Sequence, residues 1–287
     1  MPKAKEWSEP LVLKLMSRHG GRPPADIIEA HAESLRAAAE QHSLPVDVEL
    51  VASVQGVKRR RQPWDFAGRI YADANGQLVM DLNDQDGDER QRFTCAHELM
   101  HLAFPGFKKE ARYRLDTKEP GQNGTNAEEE YLCDLGASML LMPRSLVVGQ
   151  YDIEGGLDEV ERLARDARVS LQAAGNRLIS IADTPAAFLV FDWRHKPADM
   201  PRLRRGAEVS KCLRLRYGSI ARLDVYLPRF KGVPDDGPCG RAWHGRWRET
   251  GFGPLPGADQ LGAFAIEAQA YGSEDRRVVL AVARPAA

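Results

Sequence analysis

No stretch of this chain approaches the roughly 20 uninterrupted apolar residues that a membrane-spanning helix requires. The opening Met-Pro-Lys-Ala-Lys-Glu-Trp also lacks the apolar segment of a signal peptide. Neither a membrane span nor a secretory leader is expected, and the expected location is the cytoplasm. Cysteine is scarce. Cys95, Cys133, Cys212 and Cys239 are widely spaced and form no Cys-x-x-Cys pair, so neither a disulfide framework nor a cysteine-based zinc site is indicated. Internal repeats and low-complexity tracts are lacking as well, which removes repeat architectures.

Net charge is almost absent, with 41 Asp plus Glu against 40 Lys plus Arg in 287 residues. The even total conceals an asymmetry: residues 1–185 carry 23 basic and 30 acidic side chains (−7), whereas residues 186–287 carry 17 and 11 (+6). Apolar residues at 43% and charged residues at 28% describe a soluble globular protein rather than a disordered one. At about 100 to 200 residues per domain, the length fits two domains, or one large domain with a small companion.

Periodicity separates the two halves. Pro24–His42 is rich in Ala and Glu with apolar residues three and four apart, which predicts an amphipathic helix. A shorter helix is expected from Val46 to Ser53, closed by Gly56. The run Lys58-Arg59-Arg60-Arg61 reads as a solvated loop. Ile70, Leu78, Met80 and Leu82 alternate around Asp73-Ala-Asn-Gly76, the signature of a hairpin. Helical spacing returns over Asp88–Phe104 and Ala127–Leu141, with a long exposed connection expected over 106–126. Two more helices are expected over Leu157–Ala167 and Ser170–Ile181. Beyond Pro185, strands are expected at Ala187–Phe191, Ala221–Tyr226, Gly262–Glu267 and Arg277–Ala283.

The most informative residues are His97-Glu98-Leu99-Met100-His101, a His-Glu-x-x-His sequence inside an expected helix. Histidines four apart lie on one helix face, one turn above each other, so both imidazoles can reach one Zn²⁺. Glu98, beside the first histidine, is then placed as general base to take a proton from a zinc-activated water during attack on a peptide carbonyl. A catalytic zinc needs a third protein ligand. Glu130 on the next helix is the best placed, with Asp134 one turn further on to accept the free N–H of a ligating histidine. Glu128 and Glu129 read as the solvated acidic first turn of that helix.

The runs Arg90-Gln-Arg-Phe-Thr-Cys-Ala-His-Glu-Leu-Met-His101 and Glu130-Tyr-Leu-Cys-Asp-Leu-Gly-Ala-Ser-Met-Leu-Leu-Met-Pro143 together resemble the ImmA/IrrE group of zinc metallopeptidases. The resemblance covers about residues 25–185 and departs at Cys133 and Gly136, where the family tends to have Ala and Phe. It implies zinc on His97, His101 and Glu130 and catalysis by Glu98, the assignment reached from the helix spacing. It further implies a protein substrate, a helix-turn-helix transcriptional repressor whose cleavage switches on stress-response, DNA-repair or mobile-element genes. Residues 163–178 resemble the helix-turn-helix-like segment that follows the family's peptidase core. Read from the residues alone, two packed helices finishing a domain are favoured there over DNA binding, because acidic residues are interleaved with Arg162, Arg165, Arg168 and Arg177.

The expected fold is therefore α+β. A zincin-like metallopeptidase domain spans 1–150, a helical helix-turn-helix-like segment 151–185, and a small, basic, β-rich α/β domain with a sensory or partner-binding role 186–287. In that last part, residues 194–231 carry 11 basic and 3 acidic side chains, enough to receive an acidic partner, a nucleic acid or a small anion. Trp193, Trp243 and Trp247 are read as core aromatics, and His195 and His244 as surface or structural. Cys95 and Cys133 are read as inert buried thiols. Tyr113, Tyr131 and Arg144 are candidate oxyanion stabilisers by proximity in sequence. The reading from another class is a non-catalytic regulator with a structural zinc site, whose basic C-terminal half binds nucleic acid or protein.

Overall fold

The computed structural model describes residues 6–106 and 127–286, together with the backbone of 112–114. The fold is α+β, and the chain divides into two compact units. One comprises Lys3–Val148 with Ala164–Ser170, the other Gly149–Leu163 with Leu171–Ala287.

In the first unit, α1 (Pro10–Arg18) and α2 (Pro24–Ala38) both open on proline, which has no N–H to leave unsatisfied at a helix start. The helix α3 (Val48–Val54) is capped by Asp47, whose Oδ1 accepts from the N–H groups of Glu49 and Leu50 at 3.0 Å. Strands β1 (Lys58–Gln62), β2 (Gly68–Ala72) and β3 (Leu78–Asn83) follow. The hairpin is antiparallel, pairing Ile70 with Met80. Its turn is closed by Asp73 Oδ1, which accepts from Asn75 and Gln77, and by Gly76 at φ +77°.

The basic run is not a loop. It forms β1, an edge strand parallel to β3, and its charges are tied down: Arg60 donates to the fully buried Asp81 from Nε (2.7 Å) and Nη2 (2.9 Å), while Arg59 and Arg61 pair with Glu49. Charged residues suit an edge strand because they discourage pairing with another chain. Most of the connection 106–126 lies outside the described residues. Within it, β4 (Arg112–Arg114) pairs antiparallel with β2, where an irregular connection was expected, and the sheet order is β1-β3-β2-β4.

The helices α4 (Asp88–Met100) and α5 (Ala127–Leu141) complete this unit with the short α6 (Arg144–Val147). Their close approach depends on Gly136, where a Cβ would lie 2.5 Å from Met100 Sδ and from Ile28 Cγ2. Only glycine lets α5 press onto α2 and α4 at this point, so the departure from the resembled family pattern has a packing role.

The unit boundary passes through α7 (Leu157–Ala167), which is joined to α8 (Leu171–Ile181) by a turn at Arg168, φ 53°. In the second unit β5 (Ala186–Arg194), β6 (Cys212–Ala221), β7 (Glu249–Gly253), β8 (Phe264–Tyr271) and β9 (Val278–Pro285) form an antiparallel sheet in the order β6-β5-β9-β8-β7. Short helices α9 (Met200–Arg204) and α10 (Pro238–Gly245) lie in its connections. Residues 186–191 of β5 are all buried, which explains an apolar run without alternation: both faces are covered. On one face α8 packs through Gly175, where a Cβ would meet the Phe188 ring at 2.5 Å. On the other, Leu189, Phe191, Ala242, Leu255 and Ile266 share a core.

The strands of this unit differ in part from those expected. Only Ala221 of the run Ala221–Tyr226 is in a strand; Leu223 and Val225 pack against the core without a pairing partner. The strand β6 went unread because Arg214 and Arg216 interrupt its apolar residues, and β7 because two glycines dilute it. Of the segment 151–185, residues 164–170 group with the first unit and the rest with this one.

Candidate metal centre

The second half of α4, Thr94 to Met100, is buried on every side. Helix α5 packs along it, and the two helices bring the paired histidines against three acids. His97 is 1% exposed and His101 0%, with ring centroids 5.1 Å apart. His97 Nδ1 lies 2.9 Å from Asp134 Oδ1, and His101 Nδ1 lies 2.9 Å from Glu129 Oε1. A carboxylate accepts, so each Nδ1 donates a hydrogen to its acid and each ring turns Nε2 to its other side.

Both Nε2 atoms turn to one residue. His97 Nε2 lies 3.2 Å from Glu130 Oε2, and His101 Nε2 lies 3.7 Å from Glu130 Oε1. Two lone pairs facing a carboxylate repel it unless a cation lies between them, either a second ring proton or a metal ion. The buried His101 Nε2 has no hydrogen-bond partner among the described residues, which is costly for an atom of this kind. Burial works to raise the Glu130 carboxyl, but the hydrogen bond with His97 and the charges of both imidazoles outweigh it and hold the group below its ordinary pKa. Two nitrogen donors and an ionised carboxylate, with both imidazoles oriented from behind, are a donor set that fits zinc.

A second grouping overlaps this one: His97, His101 and Cys133 offer ligand atoms within 4.8 Å of one another. Cys133 Sγ, however, approaches His101 at Nδ1, 3.4 Å away, the nitrogen already bonded to Glu129. Burial, followed by the nearby carboxylates of Glu130 and Glu129, pushes its thiol well above the ordinary value, so it is protonated. Cys95 is likewise pushed up, to about 12, by burial. The grouping through Glu130 therefore describes the donor side of the histidines better.

Glu98 is fully buried on α4. It is accommodated by Gly68 on β2, where a Cβ would lie 3.4 Å from Glu98 Oε1 and 2.4 Å from Thr94 Cγ2. Of the oxyanion candidates, Tyr131 is half exposed and packs on Trp7 at 6.2 Å, Arg144 is exposed, and the Tyr113 side chain lies outside the described residues.

Residues 54–179 match the family model of the IrrE N-terminal-like domain, peptidase family M78. Over that segment the chain is similar to the ImmA/IrrE family. The radiation response metalloprotease IrrE of Deinococcus radiodurans is 27% identical to this chain over 203 residues, which are 67% of this chain and 59% of that protein. The chain therefore spans less than two thirds of that relative's length. A Mycobacterium tuberculosis transcriptional regulator shares the fold alone, with a TM-score of 0.57 at 11% identity over 95% of this chain and 80% of the other.

Within the IrrE-like domain the residue missed from sequence is Glu129. Expected on a solvated first turn, it is fully buried and bonded to His101. Its spacing offered the signal: Glu129, Leu132, Cys133, Gly136 and Leu140 form the buried stripe of α5, a three-and-four pattern that begins on the acid. Glu128 is also engaged, by Ser8 and Glu9. Of the arginines of the helix pair α7 and α8, Arg162 pairs with Glu159, Arg168 with Asp88, and Arg177 is buried. Among the described residues no helix is long and apolar enough to cross a membrane.

Proposed function

We propose that this protein is a zinc-dependent endopeptidase with His97, His101 and Glu130 as metal ligands and Glu98 as general base. The observation that carries the reading is the convergence of two Nε2 atoms on the Glu130 carboxylate while Asp134 and Glu129 hold both Nδ1 atoms. Zinc bound there would act as a Lewis acid, polarising the scissile carbonyl and making a water acidic enough to lose a proton near neutral pH. Glu98 accepts that proton on its carboxylate and returns it to the departing amine. Asp134 and Glu129 keep both imidazoles in the tautomer that leaves Nε2 free to ligate. The substrate is a protein, a helix-turn-helix repressor whose removal turns on a stress-response, DNA-repair or mobile-element programme.

The peptidase domain covers residues 1–150, and the part beyond 185 recognises the signal or the substrate. In favour of that division, the second unit has its own cavity of about 530 Å³, floored by Leu189, Phe191, Leu255 and Ile266. The test is Glu98→Gln beside His97→Ala, with a repressor encoded next to this chain as substrate. Glu98→Gln keeps near-stoichiometric zinc and loses cleavage, whereas His97→Ala loses both; a repressor left uncut by the wild-type protein would end the proteolytic reading, and cleavage at the wild-type rate by Glu98→Gln would remove Glu98 as its base.

The proximity of Cys133 favours a second reading, a structural site closed by a fourth ligand in a non-catalytic regulator. Cys133→Ser decides between them. Zinc content that survives the substitution supports the catalytic site; zinc lost with it supports the structural one.

A further inference from the structure

The first turn of α5 carries both Glu129 and Glu130. A helix start exposes N–H groups that its own turn cannot satisfy. Here they are met from about 120 residues away. Glu9 Oε1 accepts from the N–H of Glu128 at 2.8 Å, and Glu9 Oε2 from the N–H of Glu129 at 3.2 Å. The favour is returned at the start of α1, where the Glu128 carboxylate accepts from the N–H of Ser8 at 3.0 Å, from the N–H of Glu9 at 2.9 Å, and from Ser8 Oγ at 3.1 Å. Glu9, the N-cap residue of α1, thus caps α5, and Glu128 of α5 holds the two residues that lead into α1. The Trp7 ring against Tyr131 extends the same junction along α5.

This junction leads directly to the histidines. The N–H held by Glu9 belongs to Glu129, whose carboxylate holds His101 Nδ1, and the next residue is Glu130, which faces both Nε2 atoms. We infer that Glu9 is a positioning residue of the metal site, fixing the first turn of α5 so that Glu129 and Glu130 meet the two imidazoles. The inference rests on the proposed assignment of His97, His101 and Glu130 as ligands. Two charge-assisted bonds to N–H groups at a helix start are a strong cap, since the carboxylate also meets the positive end of the helix dipole.

The experiment is titration of the purified, metal-stripped full chain with Co²⁺, reading affinity and the visible absorption band, alongside thermal melts. Glu9→Ala is expected to weaken Co²⁺ binding on the order of tenfold, the equivalent of losing one helix cap, and to alter the band. Glu9→Gln keeps one acceptor oxygen and should fall between Glu9→Ala and wild type, which keeps the question answerable should Glu9→Ala fail to fold. A core substitution elsewhere in the unit, Val79→Ala, should lower the melting temperature without weakening Co²⁺. Wild-type affinity in both Glu9 variants, or equal weakening in Val79→Ala, would overturn the positioning role. If the wild-type protein itself binds no Co²⁺, the ligand assignment falls, and the inference falls with it.

Discussion

The two units bury charge in opposite ways. Among the described residues, the buried polar side chains of the first are Asp81, Thr94, His97, Glu98, His101 and Glu129, and those of the second are Arg177 and Arg214. Arg214 is satisfied by fixed backbone acceptors, donating to the carbonyls of Arg194 and Phe230 at 3.1 Å. Asp81 is likewise matched, by Arg60 and Arg69 at 2.7 Å. The histidine cluster differs from both: its Nδ1 sides are matched by acids, while its Nε2 sides meet another acceptor. Buried polar groups that serve only the fold are closed on all sides. An arrangement that is complete only with an added cation marks the place where the fold serves chemistry.

The largest effect that should separate the units comes from the apolar one. Phe188 is fully buried beneath Gly175, and Phe188→Ala should destabilise the second unit by about 3 to 5 kcal/mol. Zinc affinity of the first unit should stay at its wild-type value. Denaturation followed by tryptophan fluorescence, together with a metal titration of the same sample, reads both quantities. Loss of metal affinity in proportion to the loss of stability would mean that the contrast between the units does not extend to their energetics.

A smaller effect belongs to the other side of the contrast. Glu129→Gln and Asp134→Asn preserve shape but remove the ionised acceptors behind His101 and His97, and each should lower zinc affinity by about tenfold to a hundredfold. Competition against a chromophoric chelator measures this. Glu129 should cost more than Asp134, because it is fully buried whereas the Asp134 side chain is 54% exposed. Equal losses would show that burial of the acid does not set the strength of its hold.

These residues also mark how far the sequence could be read. His97, His101, Glu98 and the helix that carries them follow from a spacing rule, because ligands one turn apart must share a face. Asp134 follows from the same rule applied to α5. Glu129 does not, since an acid in a first turn is normally solvated, and its burial comes with the approach of α5 to His101. Gly136 is a similar case: its role is visible only when Met100 and Ile28 are in place. In the second unit the apolar strands β5, β8 and β9 were legible, whereas β6 and β7 are held by register with neighbours distant in sequence. The basic run of β1 misled for the same reason, as its pairing partner Val79–Asn83 lies about twenty residues on.

The smallest effect tests whether charge in the second unit is as well matched as the contrast requires. Asp192, on β5, lies 3.0 Å from Arg194 Nε and is 17% exposed. Burial raises its pKa above the ordinary carboxylate value, against the opposing charges of Arg194 and Arg216. A folded-state pKa above the unfolded one means that the ionised carboxylate weakens folding at neutral pH, and that the penalty disappears as the pH falls through the raised value. Asp192→Asn should therefore melt slightly higher than wild type at pH 7, by less than about 1 kcal/mol because the ion pair with Arg194 is lost with it. The advantage should vanish in acid. Melting curves of both proteins across that range give the answer. A variant less stable than wild type at pH 7 would show that the Arg194 pair outweighs the burial, so that charge in the second unit is matched as Asp81 is in the first.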